Sequence, residues 1–586
     1  MKLVIAEKPS AAQSYAKALN ITAKKSGYFE GNGYIITWCI GHLAGLADAA
    51  AYDEKYAVWK YEDLPILPEK WQFAINKGKE NQYKVVSGLM NRNDITEIIN
   101  GCDAGREGEL IFRFVYNMCG CKKPYFRLWI SSMEESAIRE GFNNLKDGRE
   151  YDNLYNSALC RAKADWIIGI NATRLFTSLY RKHLNIGRVQ TPTLAMIAER
   201  DSKISMFRKE KYYTVEIDGG NIKAVSDKIS DKDEAQNLQA ACHERQAVCI
   251  SAVKEKKKTG APKLFDLTTL QREANRIFGY TAKQTLDYAQ SLYEKKLITY
   301  PRTDSRYLTD DMHNTVIKIV HIASKFAPFS NCTDFKPDTF CLFNNEKVSD
   351  HHAIIPTAEI ENISLAEIPN GESNILHLIM CKLLCAVNSP YEYETITAVL
   401  ECGGVQFTAK GKIILFEGWK NIEQLFKRYI HSDTDRAEDV FCITKGETVT
   451  VSSEVKEGYT SPPKAFTEDT LLSSMETAGA AETTDEAERK GLGTPATRAA
   501  IIEKLVQTGF AERKGKSIVA THNGISLVSV LPEKLTSPIL TSDWENNLAE
   551  IAKGNYPPEQ FMKGIEDLTR ELVTTYSFIT DEDRAI

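Results

Sequence analysis

The 586-residue sequence has no apolar run of the roughly eighteen residues that a membrane-spanning helix needs. Its opening apolar stretch, MKLVIA, stops at Glu7, which is too short for a secretory signal and reads as a first β-strand. A cytoplasmic protein is therefore expected. A disulfide framework is also missing, because the 13 cysteines are odd in number and scattered. Cys119/Cys121 and Cys381/Cys385 are close pairs without matching second pairs, so they read as ordinary thiols and not as a zinc site. Neither GxGxxG nor GxxxxGK[ST] occurs, which removes the dinucleotide-binding and P-loop classes. There is no internal repeat and no long low-complexity linker. Net positive charge is lacking too. The formal charge is -6, which taken alone speaks weakly against a nucleic-acid partner.

What is present is the composition of a soluble protein, 43% apolar and 26% charged, in a chain of 65.8 kDa. That mass exceeds a single core and points to about three to five domains. Residues 1–150 read as α/β. LVIAE is a buried strand, KPSAAQSYAKALN a helix with Pro9 near its start, and GYIITWCIGHL a strand running into a glycine turn. DITEIINGCDAGREGELIFRFVYNMC then gives a strand or helix, a tight turn and an amphipathic helix. This order predicts a parallel sheet with active residues at the strand C-termini.

Residues 151–210 read as helical, broken at Gly187–Arg188 ahead of Pro192. KYYTVEIDGGNIKAV alternates as a strand does. Helical blocks follow at 266–296 and 363–388, and strands return in YETITAVLECGGVQFTAKGKII and VTVSSEVKEGYT. Pieces 211–261 and 361–455 are each too small for a covered sheet, so they are expected to form one discontinuous strand-rich hinge around a helical 262–360. Residues 456–586 read as helical and join 151–210 in a second discontinuous domain. There Thr494 caps TPATRAAIIEKLVQTGF, and SIVATHNGISLV reads like the wing of a winged-helix unit.

Three features carry chemistry. Glu7 closes a strand, while Asp103 and Glu107 flank a strand-to-helix turn. Carboxylates gathered at strand ends make a hard oxygen site suited to Mg²⁺. Gly101, Gly105 and Gly108 permit a tight turn, and Arg106 can meet a phosphate. Second, from Arg161 to Lys211 there are eleven Lys or Arg against four Asp or Glu, enough for a basic groove on an acidic protein. Third, LITYPRTDSRYL places Tyr300 two residues before Arg302. A tyrosine with a pKa of roughly 10 is a poor nucleophile unless a cation stabilises its phenolate. His351, opening HHAIIPT, is a further candidate for binding phosphate or relaying a proton.

Read together, these segments resemble the type IA DNA topoisomerases, in the branch of topoisomerase III. Residues 1–150 look like a Toprim domain, with Glu7 matching its first acidic residue and Asp103 and Glu107 the outer members of its DxDxE pattern; Gly105 replaces the middle Asp. Tyr300, Arg302, Thr303 and Asp304 match the active-site motif position by position, and Pro301 is the branch's form. His351 matches the histidine of HxAIxPT. RAKADWIIGINATR, NIGRVQTPTL, SPPKAFTEDTLLSSME and GLGTPATRAAIIEKL resemble the segments that bind single-stranded DNA.

The resemblance implies a multidomain α/β and α+β fold with a toroidal core. It implies Tyr300 as the nucleophile of a 5′-phosphotyrosyl intermediate, assisted by Arg302, Lys8, Glu7 and His351. Mg²⁺ is implied at Glu7, Asp103 and Glu107, with fewer ligands because of Gly105. Arg106, Arg161, Arg174, Arg188, Gln190 and Arg498 are implied on DNA; Trp166 either stacks on a base or fills a helix core. The implied activity is ATP-independent cleavage, strand passage and religation, relaxing negative supercoils and decatenating DNA. The expected state is a monomer, its substrate single-stranded DNA or duplex with single-stranded regions, with a helicase partner left open. Two alternatives stay open at this point. One is a noncatalytic single-stranded-DNA-binding protein, motivated by Gly105; the other is a Toprim nuclease that releases free ends.

Overall fold

The computed structural model describes residues 1–130, 133–331, 338–348, 351–430, 441–478 and 491–577. Parts of the expected hinge (431–440) and of the C-terminal helical piece (479–490 and 578–586) lie outside these described residues. The N-terminal body is a seven-stranded mixed sheet. Lys2–Ala6 runs parallel between Tyr34–Trp38 and Glu97–Gly101, with Ala6 opposite both Trp38 and Gly101, so the three C-terminal ends meet on one edge. Leu3, Val4, Ile5 and Ala6 are all fully buried, as an apolar run covered on both faces requires.

A second body joins two distant stretches of chain. The 29-residue helix Asp152–Tyr180 and the helix Gln190–Ser205 share one apolar core with Pro495–Gln507, Ile539–Lys553 and Pro558–Thr575. Thr494 opens the helix Pro495–Gln507, and its N–H donates to Thr497 Oγ1 at 2.9 Å. Beside that helix, Phe466–Thr467, Ser517–Ala520 and Ala511–Lys514 make a three-stranded sheet. Trp166 belongs to the packing: its indole N–H donates to the Ala47 carbonyl at 2.9 Å, and its ring meets Tyr52 and Trp71 edge-on.

Six strands close a barrel, in the order Lys211–Asp218, Lys223–Ser226, Val405–Phe416, Tyr391–Cys402, Arg245–Thr259 and Thr448–Tyr459. Strands from both stretches are needed to complete the ring, which leaves no edge along its closed part. The boundary expected at 360 moves. The helix Asn370–Ala386 packs with Leu267–Phe278 and Ala282–Glu294 in the core of the tyrosine-bearing body, and Trp419, Ile422 and Phe426 join it. The reason is apolar surface: Ile375, Leu376, Ile379 and Leu383 on one face of that helix and Leu378, Cys381 and Cys385 on the opposite face are all buried, so it needs partners all round. Among the described residues no helix is long and apolar enough to cross a membrane.

This packing has a direct test. Leu376→Ala is expected to cost roughly 2–5 kcal/mol through the cavity it leaves. Hydrogen exchange should show protection lost in Leu267–Phe278 and Ala282–Glu294, while the barrel strands keep theirs.

Candidate active site

Two bodies meet at the C-terminal edge of the N-terminal sheet. On one side Glu7 and Lys8 follow the strand Lys2–Ala6, and Asp103 follows Glu97–Gly101. The turn holding Asp103 is built from below. Arg127, fully buried, donates through Nη2 to the Asp103 carbonyl at 2.6 Å and through Nη1 to the Cys102 carbonyl at 2.7 Å. Its Nε lies 2.7 Å from Glu109, a carboxylate that also accepts from Asn100 at 2.8 Å. Gly108 is required by close approach, since a Cβ there would stand 2.1 Å from the Asp103 carbonyl oxygen.

On the other side, the loop after the helix Ala282–Glu294 is stitched to the segment carrying His351. Thr299 N–H donates to the Ile355 carbonyl at 2.9 Å, Thr303 Oγ1 to the His351 carbonyl at 2.7 Å, and Ala353 N–H to the Tyr307 carbonyl at 2.8 Å. These bonds set the Tyr300 ring 4.3 Å from the His351 ring and 5.3 Å from the Tyr293 ring, centroid to centroid.

The two sides share a charge cluster. Lys8 Nζ lies 3.8 Å over the Tyr300 ring, donates to Asp103 Oδ2 at 2.8 Å and stands 3.3 Å from Glu7. His351 Nε2 lies 3.1 Å from the same Asp103 oxygen. Burial opposes ionisation of Asp103, but His351 and Lys8 outweigh it and hold the carboxyl far below the usual range. Glu7 is pushed the other way, by burial and then by the Asp103 charge. Burial raises Tyr300 as well, and Lys8 partly offsets it. Arg302 is exposed, with no ion pair among the described residues.

The expected three-carboxylate metal set is not assembled. Among the described residues no three His, Cys, Asp or Glu side chains are arranged to hold a metal ion. Glu7 and Asp103 are neighbours, joined through the Asp103 N–H to Glu7 Oε2 at 3.3 Å. Glu107, on the first turn of Arg106–Met118, faces His42 and Arg161 instead, each at 3.5 Å. Two carboxylates still suit Mg²⁺, which commonly takes one or two together with waters and substrate phosphate.

The arginines expected on DNA divide into two groups. Arg106, Arg161 and Arg188 converge on Glu545, at 2.7, 3.7 and 3.2 Å, a residue that sequence reasoning missed. Arg174 and Arg498 do not face a groove. Arg174 donates to the Tyr56 carbonyl at 2.8 Å beneath Trp59; Arg498, 2% exposed, donates to the Leu492 carbonyl and to Thr268 Oγ1 at 2.8 Å. Each sits on the inward side of its helix, so these two expectations are corrected to packing roles in the free protein. Gln190 is buried at the start of Gln190–Ser205, and its Nε2 has no hydrogen-bond partner among the described residues.

Glu545 makes a pH-dependent prediction. Burial resists its charge, but Arg161, Arg106 and Arg188 pull its pKa from 4.5 down to about 2. A carboxyl lower in the folded state stabilises above its unfolded pKa and loses that contribution as pH falls through the folded value. Glu545→Gln should therefore melt lower at pH 7, by on the order of 3 kcal/mol, and the gap in Tm should narrow between pH 4.5 and 2.

The chain is similar to known proteins over most of its length. A family model described as DNA topoisomerase matches residues 149–563, and a Toprim domain model matches residues 2–133. Toprim is in general a divalent-metal-binding domain. DNA topoisomerase 3 of Bacillus subtilis is 40% identical over 97% of this chain and 81% of its own length. That of Bacillus anthracis is 40% identical over 98% and 81%. The solved full-length topoisomerase I of Thermotoga maritima superposes with a TM-score of 0.74 at 22% identity, covering 99% of this chain and 91% of that one, and so shares the fold. With two family models spanning most of its length and relatives at this identity, the chain belongs to the type IA DNA topoisomerases, alongside bacterial DNA topoisomerase 3.

Proposed function

We propose that Tyr300 is the nucleophile of an ATP-independent type IA reaction. The observation that carries this reading is the position of its ring, under the Lys8 ammonium and beside His351 at the seam between two bodies. Attack forms a bond from Tyr300 Oη to the scissile phosphorus and breaks the bond to the 3′-oxygen. The phenolic proton leaves to solvent as Lys8 stabilises the phenolate. The 3′-oxygen needs a proton, and Glu7, whose pKa is raised, is the group placed to give it. His351 positions Tyr300 against Asp103, and the free Arg302 guanidinium reaches the phosphate. Reversal of the same steps reseals the strand, since the phosphotyrosine bond conserves the phosphodiester energy.

Mg²⁺ is proposed at Asp103 and, once Glu7 has given up its proton, at the Glu7 carboxylate, and when bound it would neutralise charge on a phosphate oxygen. Glu107 is proposed to join only if it leaves His42 and Arg161. Arg106 and Arg161 are proposed as strand contacts, with Arg188 and Gln190 lining the same wall. The substrate is single-stranded DNA, or duplex with single-stranded regions, and strand passage through the opened seam relaxes negative supercoils and decatenates. The protein is proposed to act as a cytoplasmic monomer, with a helicase as the kind of partner that would supply single strands.

Tyr300→Phe tests the nucleophile. With a single-stranded oligonucleotide trapped in denaturant, a 3′-label should shift with the wild-type protein and a 5′-label should appear as a shorter free fragment; both signals should vanish in the variant. Cutting that persists in Tyr300→Phe with both ends free would establish a nuclease. Binding without cleavage by the wild type would establish a noncatalytic protein.

A second test concerns charge. Lys8→Ala is expected to lower the adduct rate by roughly 10²-fold or more with binding little changed. Chelation of divalent cations is expected to abolish supercoil relaxation while adduct formation persists, because Lys8 remains at the phenol. An adduct lost on chelation in parallel with relaxation would show instead that cleavage needs the metal.

A further inference from the structure

Glu545 lies outside the proposed chemistry, yet three of the expected strand-binding arginines are organised around it. Its Oε2 accepts from Arg106 Nη2 at 2.7 Å; its Oε1 stands 3.2 Å from Arg188 Nη1 and 3.7 Å from Arg161 Nε. Arg188 is fixed in the wall. Its side chain is 2% exposed, it donates to Asp165 at 2.8 Å, and its guanidinium lies 5.2 Å over Trp544. Arg106 and Arg161 stand at the rim, 17% and 14% exposed. Among the described residues, the carboxylates within ion-pair distance of these arginines are Glu107, Asp165 and Glu545. Three positive and three negative charges leave the cluster neutral, so an approaching phosphate finds no net attraction unless a carboxylate gives way. Glu107 and Asp165 are half exposed and already solvated, whereas Glu545, 12% exposed, occupies the inner face. Two oxygens presented to separate guanidiniums are also what the non-bridging oxygens of a phosphodiester offer.

We propose that Glu545 stands in for a DNA backbone phosphate in the free protein, holding Arg106 and Arg161 until a phosphate of the bound strand takes them over. This rests on the reading of Arg106 and Arg161 as strand contacts. It adds that binding is an exchange of anions and not capture by free cations. The carboxylate re-engages as the strand leaves, which keeps affinity low enough for release after religation.

The test is run in the Tyr300→Phe background, so that covalent trapping does not contribute. Affinity for a fluorescein-labelled oligo-dT is read by anisotropy across a KCl series. Glu545→Gln is expected to bind tighter, on the order of tenfold at 50 mM KCl, with the log–log salt slope steeper by about one. Adding Arg161→Ala should remove the gain. Glu545→Asp keeps the charge but shortens the reach, and is expected to bind a few-fold tighter with the parent's slope. Equal or weaker binding by a Glu545→Gln protein whose circular dichroism matches the parent overturns the proposal. If Glu545→Gln does not fold, equal or weaker binding by Glu545→Asp does so. Failure of the Tyr300 reading would show separately, as an adduct that survives Tyr300→Phe.

Discussion

Asp103 receives Lys8 at 2.8 Å and lies 3.1 Å from His351, and Lys8 lies 3.8 Å over the Tyr300 ring; through His351 and Tyr300 the tyrosine-bearing body meets the N-terminal sheet. Lys8 belongs to the same body as Asp103, while His351 and the Tyr300 ring beneath Lys8 belong to the other. The proposed reaction would need both halves together, and strand passage through this seam would need them apart. A seam closed by a few charged and aromatic contacts meets both needs. Removing one member of such a cluster is costly because it strands a buried charge, yet opening the seam to water resolvates all of its charges together.

The apolar cores set the two junctions of the N-terminal body apart. Leu110 and Phe114 of the N-terminal body share a cluster with Ala158 of the long helix, and Tyr61, Leu64, Leu67 and Trp71 pack on the core of the helical body. That junction excludes water and stays shut. No apolar cluster among the described residues joins the N-terminal sheet to the tyrosine-bearing body; Ser10 and Tyr293 meet there through hydroxyls 3.4 Å apart. The tyrosine-bearing body meets the helical body through polar contacts, including Arg272–Asp469 and Arg306–Glu476, and through Ala282, which enters the helical body's apolar core. The chain enters that body from the barrel strand Arg245–Thr259 and returns to the barrel at Tyr391–Cys402.

Local residue order made the catalytic parts legible. Tyr300 with Arg302, and Glu7 at the end of an apolar strand, are written within a few positions, whereas the bonds that hold the Tyr300 loop come from the distant segment carrying His351. The direction of Glu107 was not legible, because it depends on His42 and on Arg161 of a different body. The partners of Arg174 and Arg498 were not legible for a related reason: a cationic residue on a helix looks the same whether its face turns to a groove or to a neighbouring carbonyl. Glu545 lies 439 residues from Arg106, and no local pattern connects them. The boundary at 360 failed because a shift in composition marks where strands resume, not where the apolar helix Asn370–Ala386 finds its cover.

Gly105 is the one departure from the family pattern whose cause can be argued from backbone and charge together. It is the residue preceding the helix Arg106–Met118, at φ −169°, an extended conformation open to any residue, so the chain does not require glycine there. An Asp would also suit the helix N-terminus on its own terms. What Asp would add is a negative charge beside Glu7 and Asp103, where burial and the Asp103 charge already raise the Glu7 pKa. With Gly105, Lys8 and His351 are set against two carboxylates. The cluster closes here through Lys8 and His351, and the metal proposed at Glu7 and Asp103 would be an addition to it. Gly105 therefore fits a centre in which the lysine stabilises the phenolate and the metal is left to act on the phosphate.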